Sequence, residues 1–201
     1  DELPAETQEI KPHPYGVELG MFLRMLKTTK ETQLGGFFKH EFCRVPPSVV
    51  AEVCKEASEK GQTISGRTWV SKIDHKSAER LYHALQHAKL RAPPTDCLSP
   101  IGVRQMLAGM LKGVKAEFYS AATRAPAVYR GNPFQIEAAI AFGGDLAGDE
   151  SARVIRFANR VPLLYQQSAC CSFKSVIETG WRNYGMSQPR GALPVGPIVI
   201  T

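Results

Sequence analysis

The chain has 201 residues, 43% of them hydrophobic and 22% charged. That balance supports one large or two small folded domains and excludes a disordered or low-complexity chain. The net charge is +6, no apolar run approaches the roughly 18 residues of a membrane span, and no signal peptide is visible, so a cytoplasmic protein is expected.

The positive charge is uneven. Residues 1–90 hold 13 Lys+Arg against 12 Asp+Glu; residues 91–201 hold 12 against 7, and nine of those 12 cations are arginine. Arginine is the better bidentate partner for phosphate, so a nucleic-acid or acidic-protein partner fits the second half. The five cysteines, Cys43, Cys54, Cys97, Cys170 and Cys171, show no C-x-x-C spacing. They read as reduced thiols used as small apolar residues. His83 and His87 share a helix face, but no third metal ligand is in reach by sequence, and no metal is expected.

In chain order, residues 1–14 are polar and proline-containing and read as a linker. Residues 15–92 read as helical. Val17, Met21, Leu23, Met25 and Leu26 form one apolar face, and Thr29 or Thr32 is placed to cap a second helix through Phe37, Phe38 and Phe42. Pro47 suits a first helical turn ahead of Val49, Val50, Val53, Cys54 and Ala57. Trp69 is expected to pack in an irregular stretch, and Asp74 to cap a helix carrying Ala78, Leu81, Tyr82, Leu85 and Ala88. Arg91–Pro100 is a proline-rich boundary with a hinge expected near Arg91–Thr95. A helix is expected from Ser99-Pro100 to Gly113.

Beyond Ala116 the apolar period changes to two. Phe118–Thr123, Phe134–Phe142 and Arg153–Leu164 read as strands, with Phe134, Ile136, Ala138 and Ile140 on a buried face. Gly143-Gly144-Asp145 suggests a reversal that pairs the last two runs antiparallel. Arg156 and Arg160 alternate with Ile155 and Phe157, which gives a basic sheet face: either a solvated surface or one turned toward a polyanion. Ser168–Thr179 reads as a helix with Cys171, Phe173, Val176 and Ile177 inward. Pro197–Thr201 reads as a strand reaching the end of the chain, and both ends look cut from a longer protein.

No catalytic arrangement emerges. Phosphate-loop and dinucleotide fingerprints are absent, no motif orders a triad, and Glu117, Glu137 and Glu178 read as surface charges. The best binding candidate is Trp181-Arg182-Asn183-Tyr184, where two aromatics and a guanidinium suit bases and phosphate. The competing reading has Trp181 and Tyr184 plug the base of the preceding helix.

Five strings occur in order: K-P-H-P-Y-G-V-E-L, T-D-C-L-S-P-I-G, V-Y-R-G-N-P-F-Q-I-E, R-F-A-N-R-V-P-L-L-Y and W-R-N-Y-G. Together they resemble the B-subunit family of DNA topoisomerase VI across nearly the whole chain. The resemblance implies an α+β chain. A helical helix-2-turn-helix domain over residues 15–92 is followed by an α/β transducer over 93–201, with a fold similar to ribosomal protein S5 domain 2, C-terminally truncated. That fold carries a left-handed β-α-β crossover.

The resemblance implies function too. In this family the parent is an ATP-dependent type IIB DNA topoisomerase, an isomerase that relaxes supercoils and decatenates DNA by double-strand passage. Its transducer relays ATP-driven dimerisation of two B subunits to the DNA-cleaving A subunit in an A2B2 heterotetramer. The ATPase domain lies upstream and the cleavage site lies in the A subunit, so ATP and Mg belong to the parent and none is expected on this piece. The family's W-K-x-Y motif, linked to DNA contact, corresponds to Trp181, Arg182 and Tyr184, with Arg in place of Lys. Lys39, Arg44 and Lys55 around the helical turn are further DNA candidates. The family's ATP-sensing lysine falls past Thr201, and a monomer is expected. Two other readings remain: a non-catalytic scaffold relative in a DNA break-forming complex, and a small-molecule kinase of similar fold, against which the missing phosphate loop counts.

Overall fold

The computed structural model describes residues 6–201; the first five positions of the expected linker lie outside the described residues. The chain forms two compact units, one of residues up to Ser99 together with Pro126–Gln135, the other of Pro100–Ala125 and Ile136–Thr201. Among the described residues no helix is long and apolar enough to cross a membrane.

The first unit holds α1 (Leu19–Thr28), α2 (Leu34–Glu41), α3 (Pro47–Glu56) and α4 (His75–His87). Its core is aromatic. Phe22, Phe37, Phe38 and Phe42 are buried with ring centroids 5.3–6.4 Å apart, joined by Leu34, Val53, Leu81 and Leu85. Such ring contacts add to the burial of apolar area. On α1 the expected face is rotated: Phe22 is fully buried and Met21 exposed, because Phe22 and Leu26 lie one turn apart on the core side. The α2 cap is also corrected. Gln33 precedes the helix with no side-chain cap. The Thr29 hydroxyl instead donates to Glu41 at 2.7 Å and accepts from the Glu31 N–H. Asp74 does cap α4, accepting from the Ser77 N–H at 3.0 Å. Trp69 is not packed; it is 53% exposed on a bridge to Gln33.

The end of the expected linker is built into this unit. His13 and Pro14 are buried, and the Pro12 carbonyl accepts from the Cys43 N–H. The expected hinge stretch is held too: the His13 Nε2 bonds the Arg91 carbonyl at 3.0 Å, the Arg44 Nε donates to the Ala92 carbonyl at 3.0 Å, and Pro93 is buried. The passage to the second unit falls later, at Ser99/Pro100.

The hairpin β2 (Ala127–Tyr129) and β3 (Asn132–Phe134) belongs to this unit. Arg130 (φ 47°) and Gly131 (φ 72°) form its two-residue turn, both left-handed, as a type I′ reversal demands. A Cβ at Gly131 would stand 2.7 Å from the Gly16 nitrogen and 2.9 Å from the His13 Nδ1. The strings K-P-H-P-Y-G and V-Y-R-G-N-P-F therefore meet here, more than a hundred positions apart in the chain.

In the second unit α5 (Val103–Gly113) precedes β1 (Phe118–Thr123), and β4 (Glu137–Phe142) pairs antiparallel with β1. A four-stranded sheet follows the order β1-β4-β8-β5, with β5 at Arg153–Val154 and β8 at Ile198–Ile200; β8 is antiparallel to β4 and parallel to β5. Between them lie the short hairpin β6 (Phe157–Ala158) and β7 (Val161–Pro162), then α6 (Cys171–Glu178). Met110 of α5 packs on one face with Ala139, Ala141 and Val199, and Val176 of α6 on the other with Ile198 and Ile200.

Several strand expectations are corrected. The run Phe134–Phe142 is broken, since Phe134 ends the hairpin of the first unit while Glu137 begins β4. The chain after Gly143-Gly144 does not pair back onto β4, whose partners are β1 and β8. Gly143 and Gly144 have φ of 78° and 66°, and a Cβ at Gly144 would lie 2.8 Å from the Ala116 Cα, so the turn closes onto the start of β1. The most buried residues of β4 are Ala139 and Ala141, while Ile136 and Ala138 are exposed. Small side chains there let α5 approach the sheet closely. The α5 helix starts at Val103 rather than Ser99, and Gly102 at φ 86° precedes it.

Candidate nucleic-acid interface

The Trp181–Tyr184 segment is a single 3-10 turn directly after α6, closed by Gly185 in the left-handed region (φ 76°). The two readings of this loop divide by residue. The Trp181 indole packs on the cluster of Ala152, Val176, Ile198 and Ile200, and its ring N–H donates to the Val176 carbonyl at 2.7 Å. Tyr184 points outward, 74% exposed, its ring centroid 6.2 Å from that of Trp181. Arg182 is exposed and donates to the Gln188 carbonyl at 2.8 Å. That bond leaves the other guanidinium nitrogens able to form the paired contacts a phosphate accepts.

Gln188 fastens the loop and was missed in the sequence. Its side-chain nitrogen donates to the Ile177 carbonyl at 2.8 Å and to the Ala192 carbonyl at 3.2 Å, and its oxygen accepts from the Trp181 N–H at 3.2 Å. A glutamine in a Gly/Pro-rich stretch carries no local signal of such a role. Only the folded loop places both ends of its amide against backbone.

The three cations of the helical unit are not equally grouped. Lys39 is exposed near the end of α2, and Arg44, in the left-handed region (φ 59°), lies in the turn between α2 and α3. Lys11 joins them by donating to the Lys39 carbonyl at 3.2 Å. It was missed because it sat in the expected linker. Lys55 is exposed in the last turn of α3, removed from that turn.

The basic sheet face over Arg156 and Arg160 does not form. Arg160 is exposed and takes, with Asn159, the left-handed turn of the β6–β7 hairpin (φ 66° and 48°). Arg156 is buried, donating to the carbonyls of Leu163 and Tyr165 at 3.1 and 3.0 Å. The apparent alternation crosses a reversal, so the two arginines never share a strand.

Glu137 is not an idle surface charge. Its carboxylate accepts from the Ile101 and Gly102 N–H groups and from the Thr123 hydroxyl, each at 2.7 Å, and so fixes the entry to α5 from a neighbouring strand. Burial acts to raise its pKa. The Thr123 and backbone hydrogen bonds, with the Arg160 charge, outweigh burial and hold the carboxyl below its ordinary range.

An open groove of about 300 Å³ beside the sheet is lined by Lys115 and Arg153 and also by Asp145 and Glu150. Among the described residues no group of three or more His, Cys, Asp or Glu could hold a metal ion.

The described residues form an α+β chain with a cation-bearing helical turn and a tryptophan-anchored Arg/Tyr loop. The family described as "Topoisomerase VI B subunit, transducer" matches residues 93–201. The B subunit of type 2 DNA topoisomerase 6 from Methanosarcina mazei is 40% identical over 200 residues, covering the whole of this chain and 31% of that protein. Its counterpart from Archaeoglobus fulgidus is 40% identical over 200 residues, again the whole chain and 32% of its own length. That of Halobacterium salinarum is 48% identical over 128 residues, 63% of this chain and 16% of its own. This chain belongs to the topoisomerase VI B-subunit family, and it spans about a third of the length of the relatives that match it throughout.

Proposed function

We propose that this chain is the coupling and DNA-sensing part of an ATP-dependent type IIB DNA topoisomerase. The whole enzyme relaxes and decatenates DNA by passing one duplex through a double-strand break in another. ATP and Mg act in the upstream domain, in the cytoplasm, and this part relays closure of two B subunits to the DNA-cleaving A subunit within an A2B2 assembly. Residues 15–92 act as a helix-2-turn-helix domain and residues 93–201 as the transducer, with a fold like ribosomal protein S5 domain 2. The order β1-β4-β8-β5, with a parallel β5–β8 pair spanning α6, supports that reading. On its own the piece is monomeric.

One observation carries the DNA-sensing role: Trp181 is committed to the core while Arg182 and Tyr184 are presented to solvent. Trp181 thus positions the turn, Arg182 meets a phosphate and Tyr184 packs on sugar or an exposed base edge. Lys11, Lys39 and Arg44 supply a second, weaker contact, and Lys55 acts outside that group.

The test is duplex-DNA binding by the full-length protein over a salt series, beside Arg182→Ala. Affinity should fall in the variant, with the log–log salt slope shallower by about one. An unchanged affinity and slope would remove Arg182 from the interface.

A further inference from the structure

The hairpin of β2 and β3 carries two exposed side chains that the DNA reading leaves unassigned. Tyr129 is 64% exposed, and the Arg130 guanidinium lies over its ring, 5.4 Å from the centroid. Arg130 occupies the first position of the type I′ turn at φ 47°. Asparagine or glycine holds that conformation at less cost, so an arginine there is poorly matched to the turn. The rest of the tip is firmly seated. The Asn132 Nδ2 donates to the Arg130 carbonyl at 3.1 Å, and Gly131 backs onto the His13 ring and the Gly16 nitrogen. A residue that strains a well-anchored turn points to a role outside it.

Other cations gather around the same seat. The His13 Nε2 bonds the Arg91 carbonyl, and the next carbonyl, of Ala92, accepts from the Arg44 Nε. The Pro12 carbonyl accepts from the Cys43 N–H, and Lys11 reaches the Lys39 carbonyl. Lys11, Lys39, Arg44, Arg91 and Arg130 thus come from four stretches of chain, and all five are exposed. No carboxylate pairs with any of them among the described residues. Cations drawn together without acids repel one another until a polyanion meets them.

We propose that the tip of this hairpin is a third contact with duplex DNA, in which Arg130, held over Tyr129, grips a backbone phosphate beside those met by Lys11, Lys39 and Arg44. This contact presupposes the DNA-sensing role given above and extends it to a hairpin outside the Trp181 turn. Stacking fixes the guanidinium plane and leaves its N–H edge to the two oxygens of a phosphate. Tyr129 is a positioning residue, setting that plane. Three residues, 124–126, join the hairpin to β1, and two, 135 and 136, join it to β4. A duplex held at the tip is therefore tied to both strands through short connections.

The test is duplex-DNA binding by the full-length protein over a salt series, with Arg130→Asn and Arg182→Ala measured in parallel. Asparagine suits left-handed backbone, so Arg130→Asn removes the charge and keeps the turn. Its affinity should fall by about threefold to tenfold, and the log–log salt slope should become shallower by about one. Hydrogen exchange over residues 127–134 should stay as slow as in the unsubstituted protein, or become slower. Arg130→Lys should keep the slope and lose part of the affinity, because an ammonium carries the charge without the stacked fork. Weaker binding by Arg130→Asn together with faster exchange over the hairpin would overturn the proposal, since the residue would then act on the fold. Unchanged affinity and slope in Arg130→Asn beside a weakened Arg182→Ala would overturn it and leave the Trp181 turn as a DNA contact. No effect of either variant would overturn both.

Discussion

At Trp181 a motif residue and its neighbours part company. The indole is fixed by packing and by its bond to Val176, while Tyr184 stands exposed with its ring tilted against the indole. Trp181→Ala should therefore cost about 2–3 kcal/mol of stability, less than a fully buried tryptophan because this one is only partly buried. Tyr184→Ala should stay within about 0.5 kcal/mol. Denaturant midpoints of the two variants check this; equal losses would place both rings in the core. The sequence offered both readings of W-R-N-Y and had no means of choosing between them. Which ring turns inward depends on where Val176, Ile198 and Ile200 converge, and those lie on different elements. The same limit hid Gln188, Glu137 and Lys11, whose partners are remote or are backbone groups.

Among the elements, those set by local chemistry were legible. The strand Phe118–Thr123, the helix capped by Asp74 and the helix beginning at Pro47 follow from alternation, capping and a fixed φ. Runs that cross a reversal were not legible. Arg153–Leu164 alternates well on paper, yet Asn159 and Arg160 adopt positive φ and fold it into a hairpin. Asparagine tolerates that region, but nothing in N-R announces it as N-G would. The other hairpin does announce itself, through Arg130-Gly131, and its tip fits closely against His13 and Gly16. Gly131→Ala adds a Cβ to that contact and forces a side chain into left-handed backbone. We expect a loss of about 2 kcal/mol or more, with faster hydrogen exchange over residues 127–134 and little change in β1 or β4. Slow exchange retained over the hairpin would mean that the tip yields without strain.

For the whole molecule, the two units hold different titrating groups. His13 is buried in the first, and burial, aided by the Arg44 charge, lowers its pKa below 6.5 against the opposing pull of its bond to the Arg91 carbonyl. The unfolded chain then binds a proton that the folded unit refuses. Stability is full above pH 6.5 and is lost as pH falls from there toward the folded pKa. In the second unit the depressed pKa of Glu137 leaves stability intact above 4.5, to be lost as pH falls through its folded value. Acidification should thus loosen the first unit before the second. Hydrogen exchange resolved by unit should register protection falling below about pH 6.5 in residues 6–99, and only below about pH 4.5 around β4 and α5. His13→Gln should remove the first step and Glu137→Gln the second. A single step shared by both units would refute this order.

Composition and local pattern were enough for the helical first half, the strands beyond Ala116 and the arginine bias of the second half, and five ordered strings carried the family and with it the α+β class. Those properties travel with each residue and its near neighbours, whatever the rest of the chain does. Four others exist only once the chain has folded: 126–135 packs with the helices, β8 from the chain's end lies inside the sheet, alanines rather than isoleucines line the α5 side of β4, and Arg156 is buried against the Leu163 and Tyr165 carbonyls. Each of those turns on which distant segments meet, and the free energy of that meeting is shared among residues whose own neighbours in the chain say nothing about it.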